Sequence, residues 1–177
     1  MRRLVDELLK APDAAVLDGE RRRIDLAVLV EELCRLQQGR ARRAGVMLAF
    51  SAMPELPTID GDRDRIKQVV LNLLDNALRY TPPGGTVAVE VARAPQAAAL
   101  RIAVADDGPG VDPQIAAHLW ERGVAGPAGG SGLGLAIVRE IVGAHGGRVW
   151  LEPSQRGAHF VIEFPLPAEG ICGHWFW

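Results

Sequence analysis

Between Asp62 and Pro83 the chain carries an apolar helical stripe that also holds two asparagines. Ile66, Val70, Leu73 and Ala77 are spaced four, three and four, which places them on one face of a helix. Asn72 and Asn76 fall on another face, with Arg79 and Tyr80 one turn beyond Asn76 on the same side. Such a stripe commits the segment to a helix packed on a core. A buried asparagine is costly unless its amide is satisfied. Two on one side, followed by an arginine and a tyrosine, read as a line of groups presented to a polar ligand. The plain alternative is two asparagines bonded to nearby loop backbone.

The length, 177 residues, suits one domain or one domain with a short appendage. With 48% hydrophobic and 24% charged residues, the chain has enough apolar material for a sizeable core. A net charge of -2 gives no sign of a nucleic-acid partner. The local basic runs, Arg21 to Arg23 and Arg40 to Arg43, read as solvated surface. Cys34 and Cys172 have neither metal-ligand nor CxxC spacing, and Cys34 falls on the apolar side of a helix. A reducing, cytoplasmic setting is the default. No apolar run is long enough to span a bilayer, and Met1 to Lys10, with Asp6 and Glu7, is no signal peptide. No membrane contact by this chain is expected, which says nothing about a longer parent.

Met1 to Lys10 reads as a short helix with Leu4, Val5, Leu8 and Leu9 on one side, the end of something longer. Ala11 to Arg23 is a connector. Asp25 is an N-cap for a helix through about Arg43, ended by Gly45. Val46 to Ala52 reads as a strand. Asp62 caps the asparagine helix, and Pro82-Pro83-Gly84-Gly85 stops it. Thr86 to Ala92 and Leu100 to Ala105 are alternating strands. Pro113 to Trp120 is a short helix, Gly123 to Gly130 a flexible loop, and Leu133 to His145 a helix. Arg148 to Glu152 and His159 to Phe164 are closing strands. The expected fold is an α+β two-layer sandwich. Its mixed, mostly antiparallel sheet is built largely of consecutive hairpins and covered by helices on one face.

Asp106-Asp107-Gly108-Pro109-Gly110 follows a strand. A carboxylate at a strand end can accept from an exocyclic amine, and Gly108 and Gly110 let backbone approach a planar ring. An ordinary Asp-Gly turn is the alternative. Gly130-Ser131-Gly132-Leu133-Gly134-Leu135 opens a helix, where backbone N–H groups and the helix dipole suit phosphate. A glycine hinge is the alternative there. The run is not a dinucleotide fingerprint, because Leu135 stands at the third glycine position. It is not a P-loop, because neither Lys10 nor Lys67 follows a glycine.

The order of these elements closely resembles the ATP-binding layout shared by gyrase, the heat-shock chaperones and sensor histidine kinases. NLLDNALRYTPPGG, VADDGPGV and GGSGLGLAIV resemble the N-box and two glycine boxes of the histidine kinases. Leu119-Trp120-Glu121-Arg122 resembles their F-box, with Trp120 for phenylalanine. The resemblance runs from about Met1 to Pro167 and implies the Bergerat-type ATP-binding fold. It implies that Asn76 offers its oxygen to Mg²⁺ and that Asn72 and Arg79 lie near the phosphates of ATP. It also implies Tyr80 beside the nucleotide, Asp106 on the adenine amine, and Gly108 and Gly110 shaping the adenine pocket. Gly130, Ser131, Gly132, Leu133, Gly134 and Leu135 would fold over the triphosphate, with Arg122 adding positive charge. Gly123 stands where the family usually has an aromatic residue, and no basic residue lies between Gly123 and Ser131.

Within the superfamily, the ATPase branches carry a water-activating glutamate where this chain has Asn72. An asparagine cannot act as a general base. The expectation is therefore ATP binding and transfer rather than hydrolysis. A histidine kinase also needs an acceptor histidine followed by an acidic residue. None of His118, His145, His159 and His174 has one. Residues 1–23 then read as the end of a dimerisation hairpin and a connector, 24–167 as the ATP-binding domain, and 168–177 as a tail. The implied partners are the dimerisation and phosphoacceptor domain of a parent kinase and a response regulator. The other functional classes are a nucleotide-sensing module without transfer and an anti-sigma-factor-type serine kinase.

Overall fold

Two aspartate caps set the two long helices. The computed structural model describes residues 20–124 and 132–167. Asp25 accepts a hydrogen bond from the Val28 N–H at 3.1 Å and opens α1, Leu26–Arg43. Asp62 accepts from the Asp64 and Arg65 N–H groups at 2.9 and 3.1 Å and opens α2, Arg63–Tyr80. Helix α1 stops where Gly45 turns to φ +68°. Helix α2 stops at Thr81, whose hydroxyl donates back to the Ala77 carbonyl at 2.7 Å ahead of Pro82.

The strands are β1 Arg22–Ile24, β2 Met47–Ala52, β3 Ile59–Gly61, β4 Thr86–Arg93, β5 Ala99–Asp106, β6 Arg148–Glu152 and β7 His159–Pro165. A one-turn helix, α3, spans Pro113–Ala116, and α4 spans Gly134–Ala144. The main sheet runs β2-β4-β5-β7-β6, with β2 parallel to β4 and every other pairing antiparallel. This is the expected α+β sandwich with a mixed sheet. The pairing is less sequential than expected, because among the described residues only β4–β5 and β6–β7 are hairpins. Strand β3 lies outside the main sheet and pairs with β1, which begins at the end of the Ala11 to Arg23 stretch read as a connector. The short helix expected to reach Trp120 ends at Ala116. The Met1 to Lys10 helix, most of the Gly123 to Gly130 loop and the 168–177 tail lie outside the described residues.

Strand alternation divides the sheet's two faces. Val87, Val89, Val91, Leu100, Ile102, Val104, Phe160, Ile162 and Phe164 are buried toward the helices. There they meet Ile66, Val70, Leu73 and Ala77 of α2 and the buried side of α1, Cys34 included. The other face is mixed, with the buried Ala103 and Val161 among charged pairs. Arg101 forks onto Glu152 at 2.7 Å, Arg148 pairs with the buried Glu163 at 2.6 Å, and both guanidiniums lie over Trp150.

His145 joins the ends of α2 and α4. Its ring is buried, meets the Ile141 carbonyl through Nδ1 at 2.8 Å, and accepts the Asp62 N–H through Nε2 at 3.0 Å. That geometry assigns the proton to Nδ1. Replacing His145 with alanine strands the Asp62 N–H and opens a hole beside Phe164. The expected loss, read by urea denaturation, is about 2–4 kcal/mol.

Candidate functional site

In β5 the residues facing the helices are Leu100, Ile102 and Val104, so the alternation delivers Asp106 to that same side at the strand's end. A carboxylate thus sits where an apolar residue would otherwise be, only 8% exposed. Two backbone donors hold it: Oδ1 accepts from Gly108 at 2.9 Å and from Ala158 at 3.2 Å. Burial pushes the Asp106 carboxyl above its ordinary value. The Ala158 and Gly108 N–H groups pull it down, and neighbouring Asp107 pushes it up again.

Two glycines let this arrangement close. A Cβ on Gly108 would stand 2.7 Å from Asp106 Oδ1 and 3.0 Å from the Tyr80 carbonyl oxygen. A Cβ on Gly157, in the β6–β7 turn, would stand 1.6 Å from the Asp106 carbonyl oxygen. Backbone therefore packs directly on backbone behind the carboxylate.

Asp106 lines a cleft of about 880 Å³. One wall is the polar side of α2: Asn72, Asp75, Asn76, Arg79 and Tyr80. Val111, Ile115, Leu119 and Phe160 supply an apolar wall. Trp120 packs edge-on against Phe160, ring centres 6.0 Å apart, behind that wall. Gly132, Gly134 and Leu135, at the start of α4, close the far end. Leu133, at the N-cap position, provides no side-chain cap, and the first N–H groups of α4 lie at the cleft. Gly123 N–H donates to the Gly132 carbonyl at 3.0 Å, and Val124 joins Gly132 in the cleft lining.

The cleft therefore gathers Asn72, Asn76, Arg79, Tyr80, Asp106, Gly110, Gly132, Gly134 and Leu135. Gly108 supports Asp106 from behind. Arg122 does not line the cleft; it pairs with Glu140 of α4 at 3.0 Å. Leu133 is 42% exposed and also lies off the lining. Gly130 and Ser131 lie outside the described residues. Asn72 combines both sequence readings. Its Nδ2 donates to the Gly134 carbonyl at 3.1 Å, which ties α2 to α4 across the cleft, while its side chain still lines the cavity.

Several contributors escaped the sequence reading, among them the apolar Val111, Ile115 and Phe160. Asp75 lines the cleft and pairs with Arg79 at 2.8 Å, a contact that the i,i+4 spacing within NLLDNALRY makes visible. Gly157 and Ala158 reach Asp106 from another hairpin, and no local pattern marks them.

The donor set suits a nucleotide with a magnesium ion. A buried carboxylate beside an apolar wall fits an amine-bearing planar ring, and the polar α2 wall with the α4 terminus fits phosphates. Among the described residues no group of three His, Cys, Asp or Glu side chains can hold a metal. A cation here would take one neutral oxygen, from Asn76, and its other ligands from water and phosphate, as Mg²⁺ does.

Comparison with known proteins points the same way. The family described as histidine kinase-, DNA gyrase B-, and HSP90-like ATPase matches residues 61–168. The signal transduction histidine-protein kinase BaeS of Escherichia coli (strain K12) is 38% identical over 93% of this chain and 36% of its own length. Full-length ShkA, solved in complex with AMPPNP, is 34% identical with a TM-score of 0.77, over 92% of this chain and 35% of ShkA. Histidine kinase ThkA, solved in complex with response regulator protein TrrA, is 27% identical with a TM-score of 0.75. That match covers 94% of this chain and 47% of ThkA. The chain spans about a third or less of the length of the curated relatives that it matches first.

Proposed function

The chain belongs to the histidine kinase-, DNA gyrase B- and HSP90-like ATPase family, and we propose that it is the ATP-binding, phosphoryl-donating domain of a sensor histidine kinase. Residues 24–167 form the domain in this reading. The buried side of α1 shares one core with α2 and the sheet, which supports including it although the family match begins at residue 61.

Asp106 accepts from the adenine amine while Ile115, Leu119 and Phe160 shelter the ring. Asn72, Arg79 and the N-terminus of α4 orient the phosphate chain. Asn76 is the side chain that would hold Mg²⁺, which neutralises phosphate charge and aligns the transferring group.

The observation that carries the reading is the absence of an available carboxylate base on the α2 wall. Asn72 cannot take a proton from water, and its amide is committed to Gly134. Asp75 is a carboxylate on that wall, but its ion pair with Arg40 of α1 keeps it a salt-bridged anion rather than a free base. The site therefore positions a triphosphate without activating water, which suits donation to an acceptor brought from outside. The acceptor is a histidine on a dimerisation domain, and the phosphoryl group then passes to a response regulator.

The test mixes the chain with the dimerisation hairpin of its full-length protein, γ-labelled ATP and Mg²⁺. Acid-labile label on the hairpin, and none on the chain incubated alone, is the expected result. Stable phosphohistidine on the chain alone, ATP binding without transfer, or acid-stable phosphoserine on a partner would each overturn it.

A further inference from the structure

Arg40 lies on α1, outside the segment that the family description matches, yet it reaches the α2 wall of the cleft. Its Nη1 stands 2.5 Å from Asp75 Oδ1, while Arg79 Nη2 stands 2.8 Å from Asp75 Oδ2. One carboxylate is thus shared by two guanidiniums, one from each helix, and both Asp75 and Arg79 line the cleft. The Asp75 side chain is 35% exposed and the Arg79 side chain 34%, so both stay within reach of a charged ligand.

We propose that Arg40 is a positioning residue for Arg79: by holding Asp75 it allows Arg79 to turn from that carboxylate to the phosphates of a bound nucleotide. The proposal rests on the reading of the cleft as an ATP site. A triphosphate entering beside Asp75 meets a like charge, and Arg79 is wanted by both anions. If Arg79 moves to the phosphates, Asp75 needs another counter-ion or it stands as an unpaired carboxylate beside them. Arg40 supplies that counter-ion from a different helix, so it need not move. Without Arg40, Asp75 and the phosphates compete for one guanidinium. The cost then falls on phosphate binding, since adenosine brings no anion to compete with Asp75 for Arg79.

The experiment measures dissociation constants for ATP with Mg²⁺ and for adenosine, using the unchanged protein, Arg40→Gln, Arg40→Lys and the Arg40→Gln, Asp75→Asn pair. Arg40→Gln is expected to weaken ATP about three- to tenfold and adenosine by less than about twofold, the range for partly exposed ion pairs near a charged ligand. Arg40→Lys restores much of the affinity because the charge returns. The double variant also restores it, because the competing carboxylate is gone. Equal losses for ATP and adenosine would reduce Arg40 to a structural contact, and an unchanged ATP constant in Arg40→Gln would overturn the proposal outright. Absence of ATP binding by the unchanged protein overturns the reading of the cleft itself, and this proposal with it.

Discussion

ATP affinity is expected to fall about 10- to 150-fold when Asp106 is replaced by asparagine, without loss of stability in the ligand-free protein. The asparagine oxygen can keep the Gly108 and Ala158 bonds that now hold Oδ1. Its amide nitrogen then faces the adenine amine, donor against donor. A hydrogen bond to a charged acceptor contributes about 1.5–3 kcal/mol, and each 1.4 kcal/mol is tenfold in affinity. Stability moves differently, because burial is the largest influence on the Asp106 carboxyl and raises its pKa above the unfolded value of 3.8. The folded state therefore holds the proton more tightly than the unfolded chain. The contribution to stability is fully present below the unfolded value and is lost as pH rises through the folded one. At neutral pH the ionised group is a net cost that asparagine removes. Calorimetric titration with ATP and thermal unfolding at pH 7 decide the matter. A melting temperature that drops together with affinity would show Asp106 to be structural.

The same shift gives affinity a pH signature. In the proposed role the carboxyl accepts from the ring amine more strongly when ionised, so ATP affinity is expected to fall as pH drops through its raised value. Protonation of the nucleotide's own phosphates contributes equally to the unchanged protein and to Asp106→Asn. The ratio of their affinities isolates Asp106: it narrows toward acid pH if the assignment is right.

What the sequence makes legible follows from how local each signal is. Helix α2 is readable because its apolar stripe, its Asp62 cap and its Pro82 stop all lie within one segment. Asp106, Gly108 and Gly110 are readable as one cluster because they sit in five consecutive residues at a strand end, and Asp106 and Gly110 do line the cleft. The β1–β3 pair is not readable. It joins two three-residue strands whose buried side chains, Ile24 and Ile59, are too few to show a period. Nor does the chain announce that β2 lies parallel to β4, or that β7 enters between β5 and β6, since those neighbours are chosen by packing of distant segments. The site divides in the same way. Arg122 has the composition of a phosphate ligand, but Glu140, eighteen positions on, claims it. Arg40 lies in a basic run that reads as solvated surface, and only the packing of α1 on α2 brings it to Asp75.

Gly157 is the clearest case of a site residue set by such long-range contact, and replacing it with alanine is expected to destabilise the protein by roughly 2–5 kcal/mol. Its φ of +68° is left-handed, which costs a residue with a Cβ about 1–2 kcal/mol. The Cβ would also stand 1.6 Å from the Asp106 carbonyl oxygen and 3.0 Å from Asp106 Oδ1, with backbone that has no rotamer to yield. Forced overlap of that kind adds about 1–3 kcal/mol. Gly84→Ala separates the two terms. Gly84 is also left-handed, at φ +85°, but a Cβ there meets nothing within 4 Å. It should lose only the conformational part, about 1–2 kcal/mol. At about 2–4 °C per kcal/mol for a chain of this size, thermal unfolding resolves the pair. Binding separates them further. Relief of the overlap must move the β6–β7 turn off Asp106, which withdraws the Ala158 N–H from Oδ1, so Gly157→Ala loses ATP affinity and Gly84→Ala keeps it. Equal melting temperatures and equal affinities for the two variants would mean that the β6–β7 turn yields freely and does not hold the carboxylate in place.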